Sequence, residues 1–286
     1  MTQRIELNHG GARCLVLPGL GGSLGGWWVA GRAMLRPADE AAIASGDPTR
    51  LSGFPLVPYS NRIADARFVW HGRNVELVAN RGDEPHGLHG VGWQRPWQIL
   101  EQSNTSVVMR LDHPDDGFWP WPLRAEQRIS LGACALTIDL RATNLANEPV
   151  PLAIGHHPYF PRVEARVTLQ ADAVWLADAR NLPAVAAIPD AQFDLSDGPA
   201  VSGREIDNCY SGVRWPMRID WPDRALNITA SANLPCAVVY ANAAADALCI
   251  EPVAHLSNAL NLPHAAMPVI APGETFAAQI VLSLSD

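Results

Sequence analysis

The chain consists mostly of short apolar or alternating runs, about four to nine residues long, that end at Pro, Gly, Asn or Asp. Residues 136–143 alternate apolar and polar side chains, as a strand with one solvated face does. The 24 prolines and 22 glycines supply the turns that antiparallel connections need. Helical periodicity is weak, and only residues 39–45 are expected to form a short helix. This pattern predicts an all-β fold, a large antiparallel sandwich or barrel.

The predicted strands are spread along the whole chain, and no linker, repeat or low-complexity tract divides it. Residues 1–286 are therefore expected to form a single domain. Three connections are longer than usual and are candidates for lining a site: 39–60, 112–122 and 181–212. The candidate strands are 13–17, 67–70, 74–78, 98–102, 106–112, 123–131, 135–143, 150–154, 166–170, 173–176, 217–221, 225–230, 237–241, 248–253 and 276–284.

Charge and composition exclude several classes of function. The net charge of -8 argues against a nucleic-acid surface, which would show a basic patch. All 21 basic residues are arginine, so no lysine Schiff base or lysine phosphate clamp exists in this chain. No glycine-rich nucleotide loop and no Gly-x-Ser-x-Gly motif follows a predicted strand.

The cysteines and the apolar runs bear on location. Five single cysteines without C-x-x-C spacing indicate reduced thiols rather than a disulfide framework or a zinc site. No signal-peptide core and no apolar run of about 18 residues is present, so we expect no membrane segment and a cytoplasmic protein. We expect a monomer or a homodimer.

The densest group of titratable side chains is the segment 155–160, Gly-His-His-Pro-Tyr-Phe, after the apolar run 150–154. An imidazole exchanges protons near neutral pH without a large change in its pKa. Adjacent side chains in a strand point to opposite faces, so His156 and His157 are not expected to serve one site together. Either one of them is a candidate acid or base, or the pair is structural, with one histidine in the core and the other on the surface; the role of His156 stays open.

Two further segments carry polar groups suited to a polyol. Asn61 and Arg62 follow a loop stiffened by two prolines, and their amide and guanidinium can bind adjacent hydroxyls. His86 and His89 lie among glycines, which let the backbone approach a ligand closely. These histidines leave a metal site as an alternative. Four tryptophans near these segments are candidates for stacking on a sugar ring: Trp93, Trp97, Trp119 and Trp121.

The carboxylates of interest are Asp207, in the segment 205–210, and Glu251, which interrupts the apolar run 247–253. If Glu251 lies in a pocket, burial would raise its pKa into the range of a general base.

The order of these motifs resembles the aldose 1-epimerases, or galactose mutarotases, from about residue 21 to the carboxyl terminus. The resemblance implies the family's fold, a large antiparallel β-sandwich often called a supersandwich. It also implies a cofactor-independent isomerase without a metal, which acts on a small-molecule monosaccharide. The roles it implies are general base for Glu251, general acid for His157, a second histidine near the ring oxygen for His89, and hydroxyl binding for Arg62, Asp207 and Asn61.

The sequence departs from the family at several positions, and these differences leave the identity of the sugar undecided. His156 stands where the family usually has Asn, and Pro252 follows Glu251 in place of the common Thr. The segment 90–97 is more similar to a less-characterised bacterial branch. Two alternatives remain: a sugar-6-phosphate epimerase, which needs an arginine cluster at the far end of the sugar, and a carbohydrate-binding domain without turnover.

Overall fold

The computed structural model describes residues 2–82, 84–263 and 265–285. The strands of the first third of the chain are β1 (Ile5–His9), β2 (Ala12–Leu17), β3 (Ser23–Val29), β4 (Arg32–Ala33), β5 (Gly53–Leu56), β6 (Arg62–Ile63), β7 (Arg67–Trp70), β8 (Arg73–Glu76), β9 (Gly87–Leu88) and β10 (Gln98–Gln102). Next come β11 (Ser106–His113), β12 (Leu123–Leu131), β13 (Ala135–Asn144), β14 (Val150–Pro151), β15 (Gly155–Pro158), β16 (Arg166–Gln170), β17 (Ala173–Ala177) and β18 (Pro183–Ala187). The last are β19 (Ile206–Ser211), β20 (Arg214–Trp221), β21 (Arg224–Ala230), β22 (Cys236–Asn242), β23 (Ala247–Val253), β24 (Val269–Ile270) and β25 (Thr275–Ser285).

Helical structure is sparse. The helix α1 (Glu40–Ser45) begins after Asp39, whose carboxylate accepts from the amide of Ala42, and ends at Gly46, whose φ of 68° suits glycine. This confirms the helix predicted at 39–45. The described residues also form four short 3-10 helices: Pro48–Arg50, Ala64–Ala66, Gly92–Gln94 and Ala259–Asn261.

Two large antiparallel sheets form the molecule. One has eleven strands in the order β1-β2-β3-β5-β15-β23-β22-β19-β17-β18, with β4 paired to β3. The other has eight, in the order β10-β11-β12-β13-β25-β21-β20-β16. One buried apolar cluster draws on both sheets, for example on Trp27 and Tyr210 from the first and on Ile129 and Ile138 from the second. The sheets therefore pack face to face, and the predicted all-β sandwich is confirmed.

The eleven-stranded sheet buries both of its faces where β5, β15, β23 and β22 run side by side. In β23, Leu248 and Ile250 point into the core between the sheets, whereas Cys249 and Val253 belong to a second apolar cluster on the other face. Because side chains alternate along a strand, Glu251 shares this second face. We call this second face of the sheet, formed by β5, β15, β23 and β22, the platform; it lies on the side away from the main core.

Three sequence predictions about the segments near the site were wrong in their boundaries. The predicted connection 39–60 contains the strand β5. Residues 152–154 are not in a strand, and β15 begins at Gly155, so the two histidines lie within a strand instead of after one. The backbone amide of Leu152 donates to the carbonyl of Pro268, and that of Ala153 donates to the carbonyl of Pro58. These buried amides are therefore satisfied without a neighbouring strand. The predicted connection 181–212 contains β18 and β19, and Asp207 therefore lies on a strand.

His156 points into the main core, opposite to His157. It is fully buried, and its two ring nitrogens have no hydrogen-bond partner among the described residues. A Cβ on Gly53 would lie 3.0 Å from Cε1 of His156, so glycine at that position makes room for the ring. Burial lowers the pKa of His156 to about 3, and the imidazole is therefore neutral.

We expect His156 to make the protein sensitive to acid. Its pKa is about 3 in the folded chain and 6.5 as the ordinary value, so the unfolded chain binds one more proton between these limits. Stability is therefore retained above pH 6.5 and falls as the pH falls toward 3, by about 2 kcal/mol between pH 7 and pH 5 from this residue. Urea unfolding at both pH values should show a smaller pH dependence for His156→Asn than for the wild type. An unchanged dependence would contradict this assignment.

Candidate active site

A cavity of about 310 Å³ opens on the platform formed by the eleven-stranded sheet. All six side chains that the sequence predicts for the site line it: Asn61, Arg62, His89, His157, Asp207 and Glu251. They come from five separate segments of the chain, and strand pairing brings them together. His86, the other histidine considered as a ligand, does not line the cavity.

His157 and Glu251 lie on neighbouring strands of the platform. Gly155 of β15 pairs with Val253 of β23, and the alternation of side chains then points both groups to the same face. Nε2 of His157 lies 3.2 Å from Oε1 of Glu251. Both residues are buried, with relative exposures of 6% and 2%.

Burial shifts the two pKa values in opposite directions. It raises the pKa of Glu251 well above its ordinary value, with a further contribution from the charge of Asp207. It lowers the pKa of His157 well below its ordinary value, and the neighbouring His89 and His156 add to this effect. The opposite shifts favour a protonated carboxyl beside a neutral imidazole, so the two groups share one proton. Transfer of that proton across the 3.2 Å contact interconverts the acid–imidazole and carboxylate–imidazolium forms.

An aromatic cluster holds the ring of His157. The centroids of Phe54 and Tyr159 lie 4.6 and 4.8 Å from that of His157 and 6.3 Å from each other, so the three rings contact one another. Phe54 in turn stacks on Trp93 at 5.3 Å. The indole of Trp93 donates to the carbonyls of Leu88 and Gly90, so it supports the site from behind.

The four tryptophans considered for sugar stacking do not line the cavity. Their relative exposures are 1% for Trp93, 3% for Trp97, 0% for Trp119 and 5% for Trp121. The hypothesis that they stack on a sugar in this cavity is therefore wrong, because their rings are buried elsewhere in the fold. The aromatic rings in the cavity wall are Tyr159 and Tyr240.

His89 is held as a neutral hydrogen-bond donor. Its Nδ1 accepts a hydrogen bond from the backbone amide of Asn61 at 3.1 Å, so Nε2 carries the proton. Burial lowers the pKa of His89 to about 3, and the charges of Arg62 and Arg81 contribute. Both Asn61 and His89 have a positive φ of 56°, a strained conformation for these residue types that the bond between them helps to maintain.

The side-chain amide of Asn61 is oriented by its neighbours. Its Oδ1 accepts from the hydroxyl of Ser257 at 2.9 Å and from the backbone amide of Arg62. Its amide nitrogen has no protein acceptor among the described residues, and it is available to a ligand. Ser257 follows β23 closely, so it connects the strand of Glu251 to the loop of Asn61 and Arg62.

Arg62 and Asp207 form an ion pair in the wall of the cavity. Nη1 of Arg62 lies 3.9 Å from Oδ2 of Asp207, and Nε lies 3.6 Å from Oε1 of Glu84. Burial raises the pKa of Asp207, and the charge of Arg62 opposes this effect. This partly exposed ion pair combines donors and acceptors, as recognition of adjacent hydroxyls requires.

Several cavity residues escaped the sequence analysis, notably Arg36, Thr49, Arg81 and Tyr240. No local motif marks them, because each enters the wall through contacts between distant segments. No group of three His, Cys, Asp or Glu side chains able to hold a metal ion occurs within the described part of the chain. None of the helices described here has the length and apolar character needed to span a membrane.

Comparison with known proteins adds independent information. The model of the aldose 1-epimerase family matches residues 3–283. The uncharacterised protein YphB of Escherichia coli K12 is 30% identical over 289 residues, which are 96% of this chain and 97% of YphB. The aldose 1-epimerase of the same organism is 32% identical over 118 residues, which are 40% of this chain and 33% of that protein.

Solved structures are similar over the whole fold. One from Escherichia coli K12, itself a proposed aldose 1-epimerase, has a TM-score of 0.91 at 29% identity and covers 100% of this chain and 99% of its own. A galactose mutarotase-like protein of Clostridium acetobutylicum has a TM-score of 0.89 at 20% identity, with coverage of 100% and 96%. This second likeness concerns the fold.

Proposed function

The chain belongs to the aldose 1-epimerase family, and we propose that it is a cofactor-independent isomerase that interconverts the α and β anomers of an aldose. The observation that carries the proposal is the 3.2 Å contact between His157 and Glu251 in the wall of the cavity. The exocyclic oxygen O1 and the ring oxygen O5 of a pyranose are bonded to the same carbon, C1. An acid and a base that serve both oxygens must therefore be immediate neighbours.

In the proposed reaction, the carboxylate of Glu251 takes the proton from the O1 hydroxyl while the imidazolium of His157 gives a proton to O5. The C1–O5 bond breaks, and O1 becomes the aldehyde oxygen. After rotation about C1–C2, the O5 hydroxyl attacks the other face of the aldehyde. His157 then takes the proton from O5, and Glu251 returns a proton to O1. Each assisted proton transfer contributes roughly 10² to 10⁴ in rate.

The other cavity residues position the sugar in this proposal. His89 donates from Nε2 toward O5 and stabilises the charge that develops there. Asn61, Arg62 and Asp207 bind ring hydroxyls. The reaction moves only protons and one C–O bond, so it needs neither a redox carrier nor a metal.

A panel of freshly dissolved aldoses tests the proposal. Polarimetry or saturation-transfer NMR, with and without the protein, should show faster exchange of anomers for at least one sugar stereochemistry. The matched control is the Glu251→Gln variant at the same concentration. A protein that binds sugars but accelerates none of them would instead be a carbohydrate-binding domain.

We expect the dependence of kcat/KM on pH to reflect the single proton of the Glu251–His157 pair. Activity should rise as the pH increases through the lowered pKa of His157, below 6.5, because the second proton is then lost. It should fall again only above the raised pKa of Glu251, where the last proton leaves. Polarimetric rates, corrected for the spontaneous reaction, would show a broad plateau through neutral pH. A decline centred near pH 6.5 would instead indicate an exposed imidazolium as the acid.

A further inference from the structure

The strand register fixes the order of four side chains across the floor of the cavity. Asp207 of β19 pairs with Tyr240 of β22. Tyr240 pairs in turn with Cys249 of β23, and Cys249 is bridged to Tyr159, which follows β15. Residues directly opposite one another in antiparallel strands point to the same face, with Cβ atoms about 4.5–5.5 Å apart. Tyr240 therefore lies in one row between Cys249 and Asp207.

The proposed acid and base occupy the next row of the same face. His157 lies two residues before Tyr159, and Glu251 lies two residues after Cys249. Because alternate residues of a strand share a face, the two rows run side by side across the strands in the order β15, β23, β22 and β19. The residue that β22 contributes to the cavity wall is Tyr240. Tyr240 is therefore next to Glu251 on the side away from His157.

Tyr240 and Asp207 present polar groups to the cavity that the protein itself does not use. Both residues line the cavity. Among the described residues, none forms a hydrogen bond with the phenol of Tyr240 or with the carboxylate of Asp207, and Nη1 of Arg62 is 3.9 Å from that carboxylate. Burial raises the pKa of Tyr240, and the charge of Asp207 adds to this effect, so the phenol keeps its proton. The pair therefore offers a ligand one donor and one acceptor.

The connectivity of a pyranose indicates which hydroxyl meets this pair. C1 is bonded to O5, to O1 and to C2, and C2 carries the hydroxyl O2. If His157 serves O5 and Glu251 serves O1, C2 lies on the side of C1 away from His157, and that side faces β22. O2 is the hydroxyl adjacent to O1, so it is the first that Tyr240 can contact beyond Glu251. A hydroxyl accepts and donates at once, which matches a phenol beside a carboxylate.

We propose, on the basis of the proposed function, that Tyr240 and Asp207 bind O2 of the sugar together and that Tyr240 is a specificity-determining residue for aldoses with a hydroxyl at C2. The phenol of Tyr240 donates to O2, and O2 donates to the carboxylate of Asp207. A 2-deoxy sugar would cover both groups without giving either a partner, and an unpaired polar group in a contact costs more than a missing one. The substrate class is therefore the 2-hydroxy aldoses.

The test combines Tyr240→Phe with sugars that lack a single hydroxyl. The probes are glucose and galactose and their 2-deoxy and 3-deoxy counterparts, and the ratio of wild-type to variant kcat/KM is taken for each sugar so that intrinsic reactivity cancels. We expect Tyr240→Phe to lower kcat/KM for the parent aldose by about 3- to 10-fold, mainly through KM. The 3-deoxy sugar should show the same loss, and the 2-deoxy sugar a loss of less than about 2-fold.

Tyr210→Phe is the matched control for the loss of a phenol hydroxyl. Tyr210 lies on β19 in the main core, and its hydroxyl donates to the carbonyl of Phe193 at 2.9 Å. This variant should lose some stability but should treat the parent and the 2-deoxy sugar alike. Tyr240→Phe removes a hydroxyl without a protein partner, so its thermal unfolding should match that of the wild type. Equal losses of kcat/KM for the parent and the 2-deoxy sugar in Tyr240→Phe would overturn the contact with O2, as would a loss that disappears with the 3-deoxy sugar alone.

Sugar binding measured by calorimetry separates this site from the proposed function. If Tyr240→Phe weakens binding of the parent aldose but not of the 2-deoxy sugar, and no sugar is turned over, the O2 site stands and the epimerase proposal fails. If the aldoses are turned over and Tyr240→Phe changes neither the binding nor the rate of the parent relative to the 2-deoxy sugar, the O2 site is overturned and the epimerase proposal stands.

Discussion

Replacing Glu251 by Gln is expected to lower kcat for the preferred aldose by about 10²- to 10⁴-fold, with a much smaller change in sugar binding. The amide has nearly the shape of the carboxylic acid but can neither take the proton of O1 nor exchange a proton with His157. The variant therefore loses the carboxylate–imidazolium form of the pair. Because the carboxyl is only 2% exposed and its pKa is raised, the neutral amide should fit at neutral pH without a loss of stability.

The measurement combines polarimetric rates, NMR titration of sugar binding and thermal unfolding of the same preparation. Glu126→Gln, on the outer side of the eight-stranded sheet, is the matched control for the change of carboxylate to amide. If Glu251→Gln kept kcat within a few-fold of the wild type while remaining folded, Glu251 would not be the base. The mechanism would then need another group near O1.

Many of the strands and the polar residues of the cavity could be predicted from the sequence. The alternation in β12 and β13 and the apolar runs of β23 and β25 depend on local side-chain order, so these strands were predicted closely. The six predicted site residues are chemically distinctive, and they line one cavity, but their roles stay predictions. Their type and order are properties of the sequence itself.

Other features of the fold and of the site could not be predicted, because they depend on contacts between segments that are distant in the sequence. β5 contains Gly53 and Pro55 and has no strand pattern of its own, yet it is held between β3 and β15. Arg36 and Arg81 are ordinary surface arginines by sequence, and only the folded contacts with Thr49 bring them together. The contacts among the rings of Phe54, His157 and Tyr159 likewise follow from strand register, which a single sequence does not reveal.

Replacing His157, the proposed acid, is expected to have the second large effect on kcat. His157→Asn should lower kcat by about 10²- to 10⁴-fold, because Asn cannot protonate O5 as the C1–O5 bond breaks. His156→Asn is the matched control: it makes the same chemical change one residue earlier, on the opposite face of β15, and should leave kcat within a few-fold. Equal losses of kcat in both variants would indicate a general disturbance of the strand.

The double variant Glu251→Gln with His157→Asn distinguishes a coupled pair from two independent groups. If the two side chains share one proton across their 3.2 Å contact, either single change already abolishes the transfer, and the second change adds little. We therefore expect the double variant to lose about as much kcat as the poorer single variant. Losses that multiply would show that the acid and the base act separately, and the contact between them would then have a positioning role only.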